Sequence, residues 1–147
     1  MTHASAPVRI AAFVLLAALA ACGPVKRINP PAASVQRLAI APGGQLTLDL
    51  RVQNHSDLTT RVGRFDGEIS LDGRAPQALA VPIDLDVPAH AAEVVTVSLK
   101  PGDALAADRS LRYRLLGRIV TEEPSGSYEG EHESMLSPVP GRPGEFR

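Results

Sequence analysis

Gln45 to Gln53 alternates without a break, setting Leu46, Leu48, Leu50 and Val52 against Gln45, Thr47, Asp49, Arg51 and Gln53. A period of two belongs to a strand with one dry and one wet face, because successive side chains leave a strand on opposite sides. The same period returns along the chain. Phe65, Gly67, Ile69 and Leu71 share a face in a segment from Val62 to Leu71 that ends at the turn pair Asp72-Gly73. Val81, Ile83, Leu85 and Val87 alternate with Pro82, Asp84, Asp86 and Pro88. Proline cannot donate to a ladder, so that segment belongs at a sheet edge or in an extended connection. Val95, Val97 and Leu99 alternate with Thr96 and Ser98 until Pro101-Gly102 stops the run. Leu111, Tyr113, Leu115, Gly117 and Ile119 oppose Arg112, Arg114, Leu116 and Arg118. Val35 to Ala39 and Tyr128 to Leu136 supply a first and a last candidate.

About seven short strands separated by turn residues predict an all-β chain, a single antiparallel β-sandwich over residues 34–137, similar in architecture to immunoglobulin and fibronectin type III domains. Only Asp103 to Asp108 offers a helical turn. One cysteine and no tryptophan leave neither a disulfide nor a thiolate metal site to hold the fold. The core must come from aliphatic side chains, and a domain of this length can bury one. Near-neutral net charge and few aromatic rings speak against nucleic acid as a partner.

Residues 1–21 read as a signal peptide. Arg9 precedes an uncharged stretch from Ile10 to Ala21, shorter than the roughly 20 residues a membrane-spanning helix needs. Leu19-Ala20-Ala21-Cys22 then forms a lipobox, with Leu19, Ala20 and Ala21 as the signal-peptidase motif and Cys22 as the lipidated residue. An unpaired thiol in an oxidising compartment is a liability unless its sulfur is used, and a diacylglycerol thioether uses it. Several acyl chains make attachment lasting where one does not. Gly23 after the cysteine is not the aspartate of an inner-membrane retention signal, which predicts the outer membrane, periplasmic face. Residues 22–33, with Pro24, Pro30 and Pro31, read as a proline-rich tether, and 138–147, with Pro138, Pro140 and Pro143, as a disordered tail.

No catalytic residue, metal ligand set or cofactor is expected. The chain lacks Gly-x-Ser-x-Gly and His-Glu-x-x-His, and its one thiol is consumed by lipidation. His55, His90 and His132 share no ligand spacing. Glu129, Glu131, His132 and Glu133 come closest to a cluster, with Glu131 and Glu133 on one strand face, and read as a solvated acidic surface.

Several segments resemble the late embryogenesis abundant type 2 family, whose domain is also called the water stress and hypersensitive response domain. Val52-Gln53-Asn54-His55-Ser56-Asp57 stands where the family has a strand ending in Asn-Pro-Asn, with His55 in place of the proline and Asp57 nearest to the second asparagine. Phe65 through Leu71-Asp72-Gly73, the stretch from Pro88 to Val97, and Tyr113 with Gly117 match further segments. Asn54 has its own physical reason to close a strand, since asparagine bonds its downstream backbone in an Asx-turn. Anchor, sandwich and missing catalytic motifs read as a monomeric, non-enzymatic bacterial lipoprotein similar to this family, and the resemblance implies its role. Its role would be tolerance of desiccation or envelope stress through contact with partly unfolded proteins or envelope components, its membrane partner reached through the lipid. The alternative is an accessory lipoprotein docking into an envelope or secretion machine.

Overall fold

The computed structural model describes residues 23–100 and 105–147. Leu19, Ala20, Ala21, Cys22 and the beginning of the expected turn at Asp103 lie outside them. Eight strands form: β1 (Ala32–Ile40), β2 (Leu46–Gln53), β3 (Thr60–Leu71), β4 (Gln77–Val87), β5 (Ala92–Leu99), β6 (Leu111–Glu123), β7 (Ser125–Leu136) and β8 (Glu145–Phe146). They pair antiparallel in two four-stranded sheets, β5-β2-β1-β8 and β4-β3-β6-β7. The expected β-sandwich is present. Relative to the immunoglobulin arrangement, with its fourth strand in the first sheet, β4 here lies beside β3 in the second.

The alternation read from the sequence sets the inner faces. Leu46, Leu48, Leu50 and Val52 of β2 meet Val62, Phe65 and Ile69 of β3 and Leu111, Tyr113, Leu115 and Ile119 of β6 in one buried cluster. Leu48 and Leu50 are fully buried. β4 stands at a sheet edge, as its prolines require. Its register shifts near Asp84, whose φ is 48°, and Leu85 stays exposed while Val81, Ile83 and Val87 are buried. Asp72 and Gly73 take φ of 51° and 70°, and the Arg74 amide donates to the Leu71 carbonyl at 3.0 Å, closing the turn between β3 and β4. Positive φ at both central residues is the geometry for which Asp-Gly is favoured.

Three expectations need correction. Residues 138–147 are not a disordered tail. The Ser137 and Arg147 backbones exchange hydrogen bonds at 2.7 and 2.9 Å, and the Ile40 amide donates to Gly144. β8 thereby pairs with β1, and Phe146 is fully buried in the core. The prolines and glycines that suggest disorder here build the reversals; Gly141 and Gly144 adopt φ of 77° and 81°. The proline-rich tether likewise ends sooner than residue 33. Pro31 is buried, β1 begins at Ala32, and Arg27 to Asn29 are already bound to the domain. Among the described residues there are eight strands where about seven were expected, because β8 is too short to show a period.

Candidate functional site

The residues that carry the family resemblance fall into three places. Asn54, at the end of β2, is almost fully buried. Its Oδ1 accepts from the Ser56 amide at 2.9 Å, the expected Asx-turn. Its Nδ2 points at the carbonyls of Leu58, Val87 and Pro88 at 2.8, 3.0 and 3.1 Å. One side chain therefore ties the end of β2 to the end of β4 and to the loop between β2 and β3. Asp57 closes the same pole. Its Oδ2 accepts from the Arg27 amide at 2.9 Å, its own amide donates to the Arg27 carbonyl, and its Oδ1 lies 3.0 Å from His90 Nε2. The Arg27 amide, then His90, hold its carboxyl below the ordinary carboxylate range. Asn29 adds a second clasp, its amide donating to Ser56 Oγ and its Nδ2 to the His55 carbonyl.

Phe65, Tyr113 and Gly117 form the second group. The Phe65 ring crosses the paired glycines Gly67 and Gly117 so closely that a Cβ at Gly117 would stand 2.6 Å from its Cζ. The glycines are there because the ring occupies their side-chain space. The Tyr113 hydroxyl accepts from the Val35 amide at 3.2 Å, beside the β-bulge of β1, and so fastens one sheet to the other. Burial raises its pKa. Gly73 stands apart, at the turn after β3.

Below Phe65 the sandwich opens on one side. β8 covers only Leu38 and Ala39 of β1, so the first half of that strand faces the inner side of β7 across a cavity of about 120 Å³. Phe65, Leu115, Ile119, Tyr128, Gly130 and His132 are among its walls. The Tyr113 and His132 ring centres are 5.8 Å apart.

The acidic residues of β7 are solvent-exposed, as expected, but two are engaged. Glu131 accepts from Arg114 Nε at 2.6 Å, which lowers its pKa, and Glu133 lies 3.9 Å from Arg112. His55 and His90 are at the Asn54 pole, far along the chain from His132. Among the described residues no three histidine or carboxylate side chains are grouped to hold a metal ion. On the other sheet, Asp49 is not solvated as the alternation predicts: Arg37 donates to it at 2.7 Å and Thr96 at 2.8 Å, leaving its side chain 15% exposed. The Arg27 to Asn29 clasp and the role of Phe146 are missed by sequence reasoning. The one available signal was that Phe146 is one of only three phenylalanines.

No family model and no curated protein matches the chain. Among solved structures it is similar to a provisionally assigned ApaA protein from Bordetella pertussis, at 14% identity and a TM-score of 0.49, covering 80% of this chain and 99% of that one. It is also similar to a provisionally assigned late embryogenesis abundant protein, at 14% identity, 97% coverage of each chain and a TM-score of 0.45. A third likeness is to a protein from Archaeoglobus fulgidus, at 13% identity and a TM-score of 0.39, covering 77% of this chain and 98% of that one.

Proposed function

We propose that this chain is a lipoprotein held at the periplasmic face of the outer membrane through Cys22, and that its sandwich is a non-catalytic binding module protecting envelope or partly unfolded proteins during desiccation or envelope stress. The non-catalytic part is supported by the dispersal of the reactive side chains. His55 and His90 sit at one pole, His132 on β7, and the best-placed carboxylates, Asp49, Asp57 and Glu131, already accept hydrogen bonds from arginine or backbone donors. A nucleophile or general base needs a partner that frees or orients it, and these carboxylates are held in their ionised, weakly basic form. The binding part is supported by the open side between β1 and β7.

The anchor rests on Leu19-Ala20-Ala21-Cys22. In this reading only residues 23–26 are free between the lipid and the clasp at Arg27, roughly 15 Å when extended. The pole carrying Asn54, Asp57 and His90 then faces the membrane. Cys22→Ala is expected to leave an unprocessed or soluble chain in cell fractionation; a mutant of mature size in the membrane fraction would overturn the anchor. A strain lacking the gene is expected to lose survival after drying, restored by the wild-type chain and not by Cys22→Ala. The long uncovered edge of β7 favours one second reading, an accessory lipoprotein docked into an envelope machine, which would co-purify with one partner at fixed stoichiometry.

A further inference from the structure

β7 is the last strand of its sheet and pairs with β6 over its whole length, Leu111 with Leu136 through Glu122 with Ser125, without a register shift. Among the described residues no strand pairs with its other edge, so alternate residues present unpaired amides and carbonyls there. Two of the other three edges of the described chain are blunted. β4 carries Pro82 and the irregularity at Asp84, and β8 has two residues. β5 is regular but shorter, with Glu93 as its one charged residue. β7 has twelve residues and no proline.

Its exposed outer face continues a pattern. Away from Arg61, Arg64 and Glu122 near one end of the β3–β6 pair, charge alternates strand by strand across that sheet: Asp66 and Glu68 on β3, Arg112, Arg114 and Arg118 on β6, and Glu129, Glu131 and Glu133 on β7. Ion pairs bridge the rows, Arg118 to Asp66 at 3.9 Å and Arg114 to Glu131 at 2.6 Å. The last row is incompletely used, since among the described residues Glu129 has no cation within ion-pair distance and Glu133 reaches Arg112 only at 3.9 Å. A strand added beside β7 would meet a carboxylate at every second position. Its inward-facing residues would meet the cavity beside Tyr128 and Gly130, where no atom lies within 4 Å of a Cβ built on Gly130. An apolar cavity of about 150 Å³ accepts a benzene ring; the roughly 120 Å³ here suits one aliphatic side chain.

We infer that the free edge of β7 receives an extended peptide segment of alternating basic and small aliphatic residues, which joins the sheet as its fifth strand. The inference rests on the binding-module reading and names the class of segment bound. Main-chain hydrogen bonds supply affinity in such strand addition, and alternate side chains supply specificity. A second copy of this chain fits poorly. Antiparallel pairing of two β7 strands centred on Gly130 sets Glu129 opposite Glu131 twice, and like charges directly opposite are destabilising.

The test uses the full chain in detergent and a labelled seven-residue peptide alternating lysine and valine, with its glutamate-valine counterpart and a lysine-valine peptide N-methylated at alternate amides. The lysine peptide is expected to bind at least tenfold tighter than either control in fluorescence anisotropy, to weaken as salt rises, and to slow hydrogen exchange of β7 amides. In a Glu129→Lys/Glu133→Lys double variant, which alters only exposed side chains, the preference should reverse toward the glutamate peptide. Equal binding of the N-methylated peptide, unchanged β7 exchange, or an unaltered preference in the double variant would overturn strand addition. Suppression of aggregation of a reduced, unfolded protein is measured in parallel. If the double variant still protects it, the edge is not the binding surface, yet the protective reading survives. If the wild type binds the lysine peptide but protects nothing, strand addition stands and the protective reading falls.

Discussion

Asn54 shows how much one buried amide can organise. It satisfies one backbone amide and lies against three carbonyls from two separate segments. Asn54→Ala would leave those buried groups without partners, at about 1–3 kcal/mol for each group that water cannot reach. We expect a loss of about 3 kcal/mol in urea unfolding. Asn54→Asp should be no milder at neutral pH, because a carboxylate can still accept from Ser56 but cannot donate to the carbonyls. Asp49 gives a pH-dependent counterpart. The Arg37 hydrogen bond, with a smaller one from Thr96, lowers its pKa in the folded chain. A carboxyl depressed on folding stabilises the fold above its unfolded pKa near 3.9, and that stabilisation fades as pH falls through the folded value. The stability difference between wild type and Asp49→Asn should thus be full above about pH 5 and shrink as pH drops below about 4, measured by urea melts across that range.

At the scale of elements, β6 and β3 are held at a fixed spacing by the Phe65 ring over Gly67 and Gly117. Gly117→Ala would push a methyl to 2.6 Å from Phe65 Cζ and 2.7 Å from the Asp66 carbonyl. Overpacking of this kind costs about 1–3 kcal/mol. Gly130→Ala, one strand away with open space beside it, should change stability by less than about 0.5 kcal/mol. Comparison of the two midpoints in denaturant tests the argument. The same strands explain what could be read in advance. β2 and β6 were legible because one buried face imposes strict alternation on Leu46 to Val52 and Leu111 to Ile119. Asn54 was legible because its Asx-turn is local. Which strands lie side by side was not, since β3 with β6 or β1 with β8 pairs residues distant in sequence and no local pattern encodes the partner. The acidic row of β7 read as a plain wet surface for the same reason. Its meaning depends on the arginines of β6 beside it and on the lack of a neighbour on the other side.

For the whole molecule, the sandwich is closed from both ends of the domain. Arg27 to Asn29 clasp one pole, and Phe146, paired with Leu38, is buried in the core. Removing residues 138–147 should cost about 3–5 kcal/mol, as loss of a buried phenylalanine does, and Phe146→Ala alone should account for most of it. A truncation that leaves the denaturant midpoint unchanged would restore the view of this segment as a loose tail. Leu48→Ala should cost about 2–5 kcal/mol by the same cavity argument, whereas Arg51→Ala, on the wet face, should stay within about 0.5 kcal/mol of neutral.

The seating of Phe146 against β1 also sets a clock. Leu38 is made early and its aromatic cover late, so a nascent chain growing at about 5–20 residues per second carries an uncapped strand edge for on the order of ten seconds. Until residue 146 is added, Leu38 lacks its aromatic cover and the inner face of β1 has nothing to close it at that end.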